Sequence, residues 1–143
     1  MAYEGKQITI PGAVSGENLS ASSVAFKLVK WDTVTGAPNV VLCDAETDVP
    51  CGVLQAPTPT ADEGQPCNVV IFGITKIQGD GTVTVGETFG PSTAGEAHKC
   101  VYDTDKTKFI CGFILNREAA GSAGMLLTAA VNCINPMKAV TSA

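Results

Sequence analysis

The chain has 143 residues, 45% of them hydrophobic and only 16% charged, with 15 glycines and a formal charge of −5. That is enough sequence to bury one core, and it suits a turn-rich β protein better than a disordered chain or a helical bundle. Its lysines are scattered and Arg117 is the only arginine, so the basic stripe that phosphate contacts demand is missing and nucleic acid is not expected as a partner.

Residues 1–18 form a polar N-terminal arm around one strand-like run, Gln7-Ile8-Thr9-Ile10, stopped by Pro11-Gly12. Such an arm either frays, packs on its own chain or docks onto another. Its opening residues carry no basic region followed by an apolar run, so no secretory leader is expected. The longest apolar stretch, Met125 to Val131, is too short to span a bilayer, so no membrane partner is expected and synthesis is placed in the cytoplasm.

A single β domain is expected over residues 19–134. Val24, Phe26 and Leu28 alternate with Ala25, Lys27 and Val29, which predicts a strand running to Trp31, the sole tryptophan and a candidate core or interface plug. Turn residues at 32–38 precede the short strand Asn39–Cys43. The polar loop Asp44–Pro50 leads to the strand Cys51–Gln55, and the proline-rich Ala56–Pro66 is a surface connection. Cys67 to Glu87 then predicts a hairpin: an apolar strand from Val69 to Ile77, a turn at Gln78-Gly79-Asp80-Gly81, and the alternating return Thr82-Val83-Thr84-Val85. Positive φ angles are expected at Gly79 and Gly81. Gly86-Glu87-Thr88-Phe89-Gly90-Pro91 leads into a Gly/Ser/Thr loop ending near Ala97, Asn116–Gly124 is the one short helix candidate, Met125–Ile134 a closing strand, and 135–143 a loose tail. The sum is an all-β fold, a small barrel or sandwich of eight or nine short, hairpin-rich strands with at most one short helix.

A weak internal echo runs through this pattern. Val41-Leu42-Cys43, a polar loop and Cys51-Gly52-Val53-Leu54 are matched by Cys100-Val101-Tyr102, a loop and Cys111-Gly112-Phe113-Ile114-Leu115. Either a barrel's pseudo-symmetry or the repeated grammar of hairpins accounts for it, the latter being the plainer reading. The six cysteines include no CxxC pair and the single histidine is His98, so ordinary zinc spacing is absent. Buried free thiols are expected; if they oxidise, the hairpin geometry proposes Cys43–Cys51 and Cys100–Cys111.

Candidate chemistry is sparse. His98 lies two residues before Cys100, a spacing that does not bring base and nucleophile together. Asp44, Glu46 and Asp48 alternate as in calcium loops but lack the central glycine and terminal glutamate of an EF-hand. They and Asp103/Asp105 are expected to be solvated hairpin tips. No catalytic residue, metal site or cofactor is assigned, and an enzyme is not expected.

The order F-K-L-V (26–29), C-G-V-L-Q (51–55), N-V-V-I-F-G-I-T-K-I (68–77), G-D-G-T-V-T-V-G-E (79–87), C-G-F-I-L (111–115), A-A-G-S-A-G (119–124) and M-L-L (125–127) resembles the small capsid decoration, or cement, proteins of tailed phages. The resemblance spans Phe26 to Leu127; the six cysteines and the C-terminal tail depart from it. It implies a barrel or tulip-like knob on the outer surface of the virion, commonly a homotrimer, which binds the major capsid protein and clamps neighbouring subunits. A strand at the arm could add to a neighbouring sheet edge, which makes Tyr3, Lys6, Gln7, Ile8, Thr9, Ile10 and Pro11 the candidate capsid contacts. The other reading is a carrier or ligand-binding module: V-x-V-G-E hairpins occur in biotinyl and lipoyl domains, although Lys76 sits two residues before the tip. An adhesive or carbohydrate-binding knob is a third, with one tryptophan, two tyrosines and five phenylalanines to serve it.

Overall fold

The computed structural model describes residues 4–32, 39–117 and 123–138. The described chain is all-β. Its strands are β1 (Gln7–Thr9), β2 (Val14–Ser15), β3 (Leu28–Trp31), β4 (Asn39–Leu42), β5 (Gly52–Leu54), β6 (Val69–Gly79), β7 (Thr88–Pro91), β8 (Ala97–Lys99), β9 (Phe109–Ile110), β10 (Gly112–Arg117), β11 (Met125–Asn132) and β12 (Met137–Lys138). A single 3-10 turn at Ser22–Val24 is the only helical element among the described residues.

The apolar run from Val69 does form a strand, and at 11 residues β6 is the longest in the molecule. Its partner is not the expected one. Thr82–Val85 forms no strand; β6 instead pairs antiparallel with β11 through eight residue pairs, from Phe72↔Asn132 to Gly79↔Met125. An eight-pair ladder buries far more than a four-residue return could. The turn itself is diverted by Asp80, whose carboxylate accepts hydrogen bonds from the Thr82 amide (3.0 Å) and hydroxyl (2.6 Å). Gly81 has the expected positive φ of 93°, whereas Gly79 continues the strand.

Pairings β6–β11, β11–β10, β10–β7, β7–β8 and β8–β6 close a five-strand barrel. A second wing, β5-β3-β4-β2, continues from the start of β6. The barrel interior is filled by Ile77, Phe89, Ile114, Leu127 and Ala129, each buried almost completely. Leu19, Val29, Val40, Leu54 and Val69 form a second cluster under the wing. β7, in a stretch to which no strand was assigned, carries Phe89, the largest fully buried side chain, and β8 is its antiparallel neighbour.

Both halves of the sequence echo adopt one arrangement, and neither is a hairpin. β4 and β5 lie on either side of β3; β8 and β10 lie on either side of β7. The correspondence extends to single hydrogen bonds. Cys43 and Cys51 donate their amides to Leu28 and Val29 of β3, as Cys100 and Cys111 donate theirs to Thr88 and Phe89 around β7. The pairs named for the oxidised case, Cys43–Cys51 and Cys100–Cys111, are not neighbours across a ladder in this fold. A strand intervenes in each pair, which sets the backbones about 9.5 Å apart, beyond the reach of a disulfide. All six thiols are free.

Other expectations shift more locally. The strand expected from Val24 is broken, because Phe26 has a φ of 64° and the chain enters β3 only at Leu28. Asn116 and Arg117 extend β10 rather than opening a helix, Ala123 and Gly124 form a turn, and 118–122 lie outside the described residues. In the tail, Met137 and Lys138 pair with β9.

Candidate interaction surface

Residues 4–11 return along β6. Gln7 pairs with Gly73, Ile8 with Phe72 and Thr9 with Val70, and the Gly5 and Ile10 amides donate to Ile74 (3.0 Å) and Val69 (2.9 Å). Gly73 permits this approach: its φ is 129°, and a Cβ there would stand 2.1 Å from the Lys6 carbonyl oxygen. The candidate arm residues Lys6, Gln7, Ile8, Thr9 and Ile10 are thus strapped to their own barrel, with Ile8, Thr9 and Pro11 presenting exposed side chains. Tyr3 lies outside the described residues.

What the strap presents is apolar. Ile8 (56% exposed) and Phe72 (43%) flank a hollow of about 380 Å³. Phe72 also borders a second hollow of about 290 Å³ shared with Ile74, Phe113 and Ala130, and Phe113 borders a third with Asn135 and Met137. Beyond the segment 132–137, Ile134 and Pro136 face a groove of about 610 Å³ whose other wall is Trp31, Val49 and Pro50. Trp31 is therefore not a core residue: it is 42% exposed at the end of β3. The start of β6, the end of β11 and the start of β10 bring these side chains to one end of the barrel. Sequence reasoning missed most of this surface. Phe72 and Phe113 sit in strands that looked uniformly apolar, and only closure of the barrel decides which face is outside.

Charged side chains interrupt the band at Lys6, beside Ile8, and at Lys30 and Asp48 in the groove. Lys30 bridges Asp44 (2.6 Å) and Asp48 (3.0 Å). The Asp44 hydrogen bond is the largest influence holding the Lys30 ammonium above its ordinary range. The acidic alternation at 44–48 is thus a set of ties rather than a solvated tip. Glu46 reaches His98 Nε2 (3.1 Å) and Lys108 Nζ (3.1 Å), while Asp105 Oδ1 pairs with Lys108 (3.2 Å) and its other oxygen accepts the Val101 amide (2.6 Å). No group of three metal-ligating side chains occurs among the described residues.

The remaining candidates are likewise engaged. His98 turns its Nδ1 to Asp80 and its Nε2 to Glu46, so neither ring nitrogen faces Cys100. Burial pushes the Cys100 thiol up to about 11 and Cys51 to about 12, and it also raises Cys43 and Cys111, the last hydrogen-bonded with Cys133. Thiols so protonated are poor nucleophiles at neutral pH. Lys76, the residue a carrier domain would modify, stands mid-strand in β6 over the Phe26 ring, 5.6 Å from its centroid.

These elements define a class: a closed five-strand β barrel with a lateral β wing and an apolar band at one end. No family model matches the chain, and no curated protein does. Among solved structures it is similar to the N base of the head fiber gp8.5 of bacteriophage phi29, with a TM-score of 0.57 and 18% identity over 90% of this chain and 96% of that one. At this identity the likeness is one of fold.

Proposed function

We propose that this chain is a structural virion protein that binds the outer surface of a phage capsid and stabilises contacts between major capsid subunits, acting as a homotrimer. The observation that carries the reading is the apolar band that runs from Ile8 through Phe72 and Phe113 to Trp31, on a fold shared along nearly its whole length with a phage head-fiber base. An exposed patch of that kind is what a protein–protein contact needs. The strapped arm contributes Ile8 and a strand edge to the same end, and repetition of modest contacts over many capsomers supplies avidity.

The test is co-sedimentation with expanded capsids of the parent phage, with wild type compared against Ile8→Asp and Phe72→Asp. Both sites are exposed, so folding should survive by circular dichroism while binding falls by ten-fold or more, since each change buries an unpaired carboxylate. Undiminished binding by both variants would remove the band from the interface. Wild-type protein that fails to bind capsids and is absent from purified virions would remove the function.

A further inference from the structure

Three loops meet around the ring of His98, the single histidine of the chain. It projects from β8 with its Nδ1 against Asp80, on the turn after β6, and its Nε2 3.1 Å from Glu46 Oε1, on the loop between β4 and β5. Thr82 Oγ1 lies 3.4 Å from the same Nδ1 and is itself hydrogen-bonded to Asp80. The other Glu46 oxygen is held by Lys108 (3.1 Å), which also pairs with Asp105 on the loop 101–108. On the histidine's own strand, Lys99 is engaged by Glu87 at 2.6 Å. The charged groups around the ring are therefore Asp80, Glu46, Asp105 and Lys108, with the Lys99–Glu87 pair alongside.

A neutral imidazole has one N–H and one lone pair. Set between two carboxylates, it can donate to one and must turn its lone pair toward the other. Only the imidazolium donates to both. The His98 side chain is 23% exposed and Asp80 17%, so these bonds are partly shielded from water. We propose that His98 is a proton-operated latch: the imidazolium ties the 44–50 loop to the turn after β6, and loss of its proton releases the Glu46 side. Lys108 still holds Glu46 in the released state, so the loop loosens and stays folded. The same loop supplies Asp48, Val49 and Pro50 to the groove opposite Trp31. Proton loss therefore slackens one wall of that groove.

The direction follows from the charges. The latch requires both carboxylates ionised and the imidazole protonated. Burial of Asp80 opposes its ionisation, but hydrogen bonds from Thr82 and His98 outweigh this and hold its carboxyl below the usual range. The closed state thus persists on mild acidification and opens when the ring gives up its proton. A consequence for capsid attachment would rest on the function proposed above. The latch does not, and it is measured on the isolated chain, so the two can fail separately.

The experiment is amide hydrogen exchange of residues 44–50 from pH 5 to pH 8, corrected for intrinsic rates, alongside NMR titration of the His98 ring, which a single histidine makes unambiguous. Wild type should lose about ten-fold in protection across that range, the order expected of one charge-assisted hydrogen bond, with the same midpoint as the ring. Glu46→Gln and His98→Gln should give flat profiles. Glu46→Gln is the safer variant, since the carboxylate is 36% exposed and its loss leaves the core intact. A flat wild-type profile, midpoints that differ, or wild-type behaviour in Glu46→Gln would each overturn the proposal.

Discussion

Asp48 does more structural work than its place in a polar loop suggests. One of its oxygens, Oδ2, accepts from the Asp44 amide (2.9 Å), the Ala45 amide (3.0 Å) and Lys30 Nζ (3.0 Å). Burial disfavours its charged form, yet the Lys30 and backbone donors prevail and its pKa is lowered. A depressed folded-state pKa contributes stability that is present above the unfolded value and lost as pH falls through the folded one. Asp48→Ala should therefore cost about 1–3 kcal/mol at neutral pH by urea denaturation, and the gap between variant and wild type should close on acidification below the ordinary carboxylate range. A gap that persists unchanged at low pH would refute the assignment. At this scale the sequence was a partial guide. It showed acidic residues at every other position of 44–48 but not their cations, because Lys30, His98 and Lys108 come from β3, β8 and a distant loop.

At the scale of elements, strands were easier to find than their partners. The run from Val69 announces itself by β-branched and apolar content, and β11 by Leu126, Leu127 and Val131. That the two pair, some fifty residues apart, is decided by eight residue pairs and closure of a barrel, neither of which a local turn signal contains. β7 escaped notice because Thr88-Phe89-Gly90-Pro91 carries the residues of a loop. Its glycine is instead demanded by contact, since a Cβ at Gly90 would lie 2.3 Å from the Phe109 carbonyl oxygen. The repeated Cys-Gly strands were visible, but their flanking of β3 and β7 was not, because the intervening strand precedes both members in sequence. The β1 strap supplies the test at this scale. Gly73→Val adds a branched side chain where only glycine's positive φ and missing Cβ fit, so it should expel β1 and leave the barrel standing. Exchange protection at Gly5 and Ile10 should vanish while that of Ile77 and Leu127 persists. Retained protection at Gly5 and Ile10 would show that the strap does not depend on the glycine.

The whole molecule combines a closed barrel with a strap and a wing that both join along β6, and the longest ladder in it is the β6–β11 seam. All-β character was legible from alternation, glycine content and spacing of turns; the choice of barrel over sandwich was not, since it depends on β6 meeting β11 on one edge and β8 on the other. The apolar band was hidden for the same reason. Pairing is uneven along β6 itself, with eight register pairs to β11, three to β1 and one to β8.

That imbalance has a mechanical consequence. A protein fixed to a shell under internal pressure would be loaded at its attachment points, and under the proposed function one of them would be the strap, joined along the same strand that closes the barrel. Tension applied through the N-terminus meets the β1–β6 ladder first. In single-molecule pulling between N-terminus and barrel, extension should come in two steps. A low-force event should release residues 4–11, about 28 Å at roughly 3.5 Å per residue, and a second, higher-force event should follow as β6 parts from β11. A single rupture of the whole chain would count against it. The strap would then act as a fuse in series with the barrel, yielding and re-seating under strain while the load-bearing ring remains closed.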